Sequence, residues 1–493
     1  MTSELDTAPP AAQSVAREPY AAGEAGSRVI RGGSLRVVGT LVGVLAGAVS
    51  APLVVHHLHT INFGRYLTVT SVMFVVAAVT EGGLNNVAVR LYSASGEPER
   101  RSLIANLTGV RIVLGLLGGA AAIGFGLLAG YEHVLVVGLA LGATGYLMGA
   151  IQGSYSVALT GNLRLTALAG IDTLRSLLTT ILLISLVFAG SGLIGFYAVV
   201  VLVQGSALVV TALLVRRHVP LGPAFERSRW RDLLHETALY AVASTLGVVY
   251  FQVALITMSL LDPGHQTGYY AVAFRIVELV NGIPWLLAGS VLPVLAIAAA
   301  TDLERLRYVA GRVFEGGVIA GGWFAIVIVL GAGFAIHVVA GAEGQPAIGV
   351  LRIMGIGVTA TFLVSSWGFV LLSLRMHRAL VLANASALTL AIALSAILIP
   401  ILHARGAAIT TAALELGLAG AYIAILFRRG IRPPPRFLAR FVPAVGLGLG
   451  VGALALLVHP VVAVIVGSAV YFGALWLLRA IPSELIDALP SRR

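Results

Sequence analysis

Cysteine is absent from all 493 residues, which excludes disulfides, thiolate metal sites and cysteine nucleophiles. Lysine is absent as well, so the 32 basic residues are all arginine. Charge of either sign is scarce: 11% of residues, against about a quarter in soluble proteins. With 58% hydrophobic residues and a mean hydropathy of +0.96, a set of ordinary soluble domains is excluded. The net charge of +11 would suit nucleic acid, but the placement of the arginines, below, argues against that partner. No serine triad, loop-borne carboxylate pair, zinc signature or cofactor motif is present, so neither enzyme chemistry nor a cofactor nor a metal is expected.

What the chain does have is long apolar runs, recurring from about residue 37 to 479 with no polar block between them. About 20 apolar residues cross the hydrocarbon core as a helix. Runs of that length predict fourteen helices, near 37–55, 66–92, 104–129, 134–156, 166–188, 193–215, 237–261, 268–298, 313–340, 347–374, 380–402, 406–427, 441–458 and 461–478. Twelve is the fallback count, because the breaks at 189–192 and 459–460 are the weakest. Residues 1–27, rich in Ala, Pro, Ser and Glu and without an apolar core, read as a disordered tail and not as a signal or transit peptide.

Arginine placement sets the orientation. With the N-terminus inside, 25 of the 32 arginines fall in inside segments, Arg65 and Arg405 fall outside, and the remaining five lie within spans. Both termini are therefore expected to be cytoplasmic. The outside loops are too short for a folded domain. The largest inside loop, 216–236, separates two blocks of six helices. Its second half, with Trp230, Leu233 and Leu234 among charges, reads either as an amphipathic helix on anionic lipid or, preferably, as an ordinary basic loop. The expected organisation is a tail (1–27), an N-lobe (28–215), a linker (216–236), a C-lobe (237–427) and a final helix pair with its tail (428–493). A faint repeat supports two lobes: NFGRY and QTGYY align at an offset of 204, placing Gly64 on Gly268, Tyr66 on Tyr270 and Arg111 on Glu315.

Five arginines (Arg90, Arg111, Arg175, Arg275, Arg352) and five acids (Glu81, Asp172, Glu278, Glu315, Glu415) interrupt these apolar runs. A charge at membrane depth costs about 2.5–3.5 kcal/mol on insertion scales and is kept where it faces a bundle interior or a wet path. Arg275 with Glu278, and Asp172 with Arg175, are three apart and share a helix face. Each pair reads as self-neutralising, or, for Arg275, as a cavity cation that receives an anion while Glu278 tunes it. Glu81 lies in AAVTEGGLNNVAVR, where Asn85 and Asn86 add polarity and the glycines allow bending. It reads as a coupling site or as a partner for an arginine. Arg90 reads as a snorkelling residue or as the inner mouth of a substrate path. Arg111 and Glu315 form either an inter-lobe gate or two local pairs, the second being preferred. Arg352 and Glu415 divide evenly between packing and function.

Other patterns are set aside. The glycine pairs 43–47, 115–119, 138–142 and 446–450 have the spacing of close helix packing in a membrane. VGLGLGVG follows no strand and is no phosphate loop. His56, His57 and His59 read as an interfacial polar loop in preference to a metal site, and the triplet at Asn106 lies on the inside, away from glycosylation.

Two stretches resemble the polysaccharide-biosynthesis oligosaccharide flippases, the O-antigen flippase-like branch of the multidrug/oligosaccharidyl-lipid/polysaccharide exporter superfamily. They are 63–94, through Phe63, Gly64, Tyr66, Gly83, Leu84 and Arg90, and 267–296, through Gly268, Tyr269, Tyr270, Arg275, Glu278 and Pro293. The resemblance implies an all-α polytopic fold of two six-helix lobes around a cavity, alternating access, and an undecaprenyl-pyrophosphate-type sugar lipid as substrate. It implies a bacterial cytoplasmic (inner) membrane, with a polysaccharide polymerase and glycosyltransferases as possible partners. Buried guanidinium forks suit bidentate phosphate recognition. On this reading Arg275, Glu278, Arg90, Arg111, Glu81 and Asn85 line the substrate path, and Glu315, Asp172, Arg175 and Glu415 serve gating or coupling. One departure is that buried acids equal buried bases, so the cavity is not assured of positive charge. A cation-coupled multidrug exporter of the same superfamily and a lipid II flippase are the alternatives.

Overall fold

The computed structural model describes residues 22–481 and is helical almost throughout. Thirteen helices follow one another: α1 (Ala22–Glu81), α2 (Leu84–Ala94), α3 (Glu97–Leu128), α4 (His133–Gly161), α5 (Leu165–Phe188), α6 (Leu193–Val215), α7 (Arg227–Leu261), α8 (His265–Thr301), α9 (Leu303–Ala340), α10 (Ala347–Ser373), α11 (His377–Phe427), α12 (Pro435–Ala455) and α13 (Pro460–Leu477). α1 and α11 each hold two rods joined at one non-helical residue, His59 (φ 60°) and His403 (φ 54°). α2 completes the second rod of α1, so the thirteen helices give the fourteen rods that the apolar runs predict. Ten of the described helices are long and apolar enough to cross a membrane. The large apolar side chains left uncovered, such as Leu128, Phe188 and Leu457, are what a lipid-facing surface requires. The protein is a multi-pass membrane protein.

Local chemistry explains the breaks. Gly83, at φ 79°, takes a left-handed conformation that a side chain would resist, and this breaks the rod between α1 and α2. Asp302 separates α8 from α9: its carboxylate accepts the backbone N–H of Glu304 at 2.8 Å and of Arg305 at 3.2 Å. Inside the rods, hydroxyls return to the carbonyl one turn back, as Thr68 does to Gly64 and Thr108 to Ile104.

Several expectations are corrected. The expected disordered tail falls mostly on residues 1–21, which lie outside the described residues, but the backbone is helical from Ala22. Of the 216–236 linker, only 216–226 lies outside a helix. Residues from Arg227 onward are the first turns of α7, and 216–226 is pinned to the N-lobe. Ala224 N donates to Ala105 O at 2.9 Å and the Tyr155 hydroxyl to Leu221 O at 2.7 Å. Asn106, fully buried, accepts from Glu226 N at 3.0 Å. Arg65 and Arg405, expected in loops, both sit within helices.

The helices pack as two lobes with α12–α13 added to the second. At the end that holds His59, one continuous apolar core joins the lobes, including Val55, Phe63 and Phe196 of the first with Met258, Phe274 and Ile336 of the second. Toward the linker end the core divides in two. One part is built on Ile104, Leu107 and Tyr155, the other on Phe314, Trp367 and Phe441. The lobes therefore share one core at one end and have separate cores at the other, where they still meet through α1 and α2 against α7: Thr245 donates to Ala78 O at 2.7 Å and Arg90 pairs with Glu236.

The end with the shared core carries the repeat's own mark. A Cβ on Gly64 would lie 2.9 Å from Gly268 N, and one on Gly268 would clash with Thr60 O. Residues equivalent under a two-fold can touch each other only at its axis, so the axis runs between α1 and α8 here. Both positions are glycine because the two backbones meet.

Candidate functional site

Arg275 and Glu278 face inward from α8 at the junction of the lobes. Arg275 Nη1 donates to Glu278 Oε2 at 2.7 Å, and the two side chains keep 32% and 23% of their surface uncovered. A Cβ on Gly47 of α1 would sit 3.6 Å from Arg275 Nη2, so the first lobe comes up to the guanidinium without closing over it. Tyr66 of α1 lies within electrostatic reach of both charges. Among the described residues Arg275 makes no other hydrogen bond, which leaves most of its donor fork free for a ligand.

A second group lies inside the first lobe. Arg111, 2% exposed, donates from Nη1 to Ala150 O at 3.3 Å and contacts Ser154 Oγ at 3.5 Å. Arg175 Nη2 donates to Gln152 Oε1 at 2.6 Å, and Gln152 in turn donates to Ser156 and Thr211. Glu81 lies within electrostatic reach of both arginines, and Asp172 of Arg175. Four charges of opposite sign thus balance one another there, which is how two guanidinium groups are kept in an apolar bundle.

The remaining residues are dispersed. Arg90, 62% exposed in its side chain, pairs with Glu236 at the start of α7. Asn85 is exposed on α2. Among the described residues Arg111 and Glu315 each take a partner within their own lobe. Arg111 turns to α4, while Glu315 takes Arg312 at 2.8 Å, because i,i+3 partners on a helix are already in reach. Glu415 is buried among α7 and α11: Tyr250 donates to its Oε1 at 3.3 Å, and its Oε2 has no partner among the described residues. Arg352 is exposed.

The end with the shared core is also latched. Glu343, in the turn between α9 and α10, accepts from Thr60 N at 3.1 Å, from the Thr60 hydroxyl at 2.5 Å and from His59 at 3.1 Å. Burial pushes its carboxyl up, but these hydrogen bonds and the His59 ring outweigh that and hold it below the usual carboxylate range. His56 turns to Pro52 O and His57 to Ser191 O, so the three histidines go to three separate partners.

The sequence profile of the polysaccharide biosynthesis protein family matches residues 29–298, more than half of the chain. The chain belongs to that family. No curated protein sequence matches it. Among solved structures, this family member is similar to the lipid II flippase MurJ in an inward closed conformation, with a TM-score of 0.77 at 14% identity over 92% of this chain and 99% of that one. It is also similar to a multidrug resistance MATE transporter of the MOP superfamily in an inward-facing conformation, with a TM-score of 0.63 at 14% identity over 80% and 94% of the two chains. The outward-facing conformation of a MATE transporter gives a TM-score of 0.57 at 15% identity, over 81% and 95%. At these identities the likeness shows the fold alone.

Proposed function

We propose that the protein is a flippase that moves a lipid-linked oligosaccharide, carried on an undecaprenyl-pyrophosphate-type lipid, from the inner to the outer leaflet of the bacterial cytoplasmic membrane for surface polysaccharide biosynthesis. The observation that carries this reading is Arg275: a cation whose side chain keeps 32% of its surface uncovered, held between two lobes that share one core at the His59 end and have separate cores at the other. A planar fork in a partly desolvated site favours a pyrophosphate over a neutral headgroup.

With the linker end and both termini cytoplasmic, as the bias of 25 arginines to two supports, the conformation is closed outward. The pyrophosphate enters from the cytoplasmic side and meets Arg275, with Glu278 competing for the guanidinium and so easing release. Arg90 and Asn85 line the entry, and Arg111 and Glu81 border the path. The N-lobe (28–215) and C-lobe (237–427) then rock so that the Gly64–Gly268 crossing parts while the lipid tail stays in the bilayer, and α12 and α13 flank the C-lobe. Coupling to an ion gradient or to the membrane potential runs through Glu415 with Asp172, Arg175 and Glu315 as the gating charges. The substrate is supplied by glycosyltransferases and consumed by a polymerase.

The test is Arg275→Ala in a strain dependent on this protein for its surface polysaccharide. Normal membrane insertion with loss of surface polysaccharide supports the assignment. Normal export makes Arg275 structural and overturns it.

A further inference from the structure

Between Glu415 and Glu484 the chain carries six arginines and no aspartate or glutamate. They are Arg428, Arg429, Arg432, Arg436, Arg440 and Arg479, and every one is exposed. The fold gathers them at the linker end of the second lobe, in the 428–434 turn, the first turns of α12 and the end of α13. Leu426, Ile431, Phe437 and Leu475 pack there in one core with Leu306 at the start of α9. Arg307, also exposed, adds a seventh guanidinium: a Cβ on Gly430 would lie 2.9 Å from its Nη2. Gly430 sits at φ 75°, so the turn needs glycine and the same glycine leaves room for Arg307. Arg440 Nη1 donates to Arg479 O at 2.8 Å and ties α12 to the end of α13.

Positive charge at one end of a membrane protein is general, so a comparison within the chain decides what this patch means. At the same end of the first lobe, arginines and acids are interleaved. Arg90 pairs with Glu236 and Arg229 with Glu226, and Glu97, Glu99 and Asp232 stand in the same segments. Among the described residues the arginines in ion pairs are Arg65, Arg90, Arg229, Arg275 and Arg312, and none of the seven above is among them. Their counter-charge therefore comes from outside the described chain. Apolar surface beside the patch says what carries it. Arg432 lies over the Phe427 ring, 4.6 Å from its centroid, and Trp476 and Leu477 at the end of α13 are left uncovered. A phosphate joined to hydrocarbon meets both halves of this surface, whereas an acidic protein or a nucleic acid meets only the charges. Guanidinium forks suit phosphate oxygens, and clusters of about four to eight basic residues at the end of a membrane helix suit anionic headgroups.

We propose that this face is a binding site for an anionic phospholipid of the surrounding membrane. Its phosphodiester meets the arginines of 428–440, and its acyl chains run over Trp476 and Leu477 into the bilayer. The lipid also has a structural effect. The seven guanidinium groups repel one another, and a phosphate among them turns that repulsion into cohesion. Because Arg307 belongs to α9 and the others to the α12–α13 segment, the bound lipid clamps the added helix pair to the second lobe. The site is separate from Arg275, which stands on α8 at the junction of the lobes, and it does not rest on the flippase reading.

Native mass spectrometry of the purified full chain tests this, with phosphatidylglycerol or phosphatidylcholine of the same acyl chains added. The wild type should retain phosphatidylglycerol in preference to phosphatidylcholine and melt at a higher temperature with it. Arg432→Gln combined with Arg436→Gln should weaken that retention about 30-fold, at about fivefold for each charge near an anionic headgroup. The same change should abolish the rise in melting temperature. Arg432→Lys with Arg436→Lys keeps the charge and should keep the preference. The control is Arg216→Gln with Arg217→Gln, an equal loss of exposed charge at the same end of the first lobe, which should change nothing. Equal retention of the two lipids, or equal weakening by the two pairs of glutamine substitutions, would leave only the general attraction of a basic face for acidic lipid and overturn the site. Displacement of the lipid by millimolar glycerol phosphate would make it a site for free phosphate and overturn the lipid assignment.

Discussion

The Gly64–Gly268 crossing is where the two lobes are held shut, and it can be pried apart by a single methyl group. In Gly64→Ala the new Cβ would lie 2.9 Å from Gly268 N, 3.0 Å from Gly268 Cα and 3.3 Å from Thr267 C. All three are backbone atoms, so no side chain can swing away and the helices themselves must separate. Overpacking of this kind costs about 1–3 kcal/mol. The cost falls on the closed form and not on a form in which α1 and α8 have parted. A free-energy change of that size shifts a two-state equilibrium by about 5- to 150-fold. The absence of cysteine makes the assay direct, because Ala129→Cys and Ala342→Cys can be spin-labelled with no background. They report the distance between the lobes at the His59 end by double electron–electron resonance. The wild type should give one short, narrow distance, and Gly64→Ala a second, longer population. Gly247→Ala, where nothing lies within 4 Å of the new Cβ, is the control and should shift nothing. If Gly64→Ala leaves both the distances and transport unchanged, the crossing is not the closing contact and the rocking account fails.

Two further outcomes follow from the same geometry. Glu343 is held below its ordinary carboxylate range, so the latch contributes at neutral pH and is lost as pH falls through the folded-state value. The labelled protein should therefore open at the His59 end under strong acid, and Glu343→Gln should remove that acid response; an unchanged acid response in the variant would separate the latch from Glu343. Glu415→Gln should fold and insert normally yet lose the effect of an imposed pH gradient on transport in vesicles; transport that still follows the gradient would assign coupling elsewhere.

Much of the fold was legible because apolar run length is a one-dimensional signal: each membrane rod is announced by its own residues. Where the prediction slipped, at the starts of α7 and α9, the helix continues into polar sequence, about ten residues before the apolar run begins. Hydropathy sees the bilayer, not the helix. The repeat offset was legible from two dipeptides, and the structure gives it meaning by bringing Gly64 and Gly268 into contact. Arg275–Glu278 was legible because both members share one helix face. Arg111 was not, since Ala150 and Ser154 stand on a different helix and only the packing of α3 on α4 brings them together.

The central claim is that Arg275 faces a wet chamber that accepts phosphate from the cytoplasmic side. Gly47→Cys tests it most directly, because its Cβ fits in ordinary contact 3.6 Å from Arg275 Nη2 and the chain has no other thiol. The account predicts that a membrane-impermeant thiosulfonate added at the cytoplasmic face modifies this cysteine. It further predicts that inorganic pyrophosphate slows the reaction, and that the protection vanishes when Arg275→Ala is added. A cysteine that reacts from neither face, or one that pyrophosphate never protects, would contradict it.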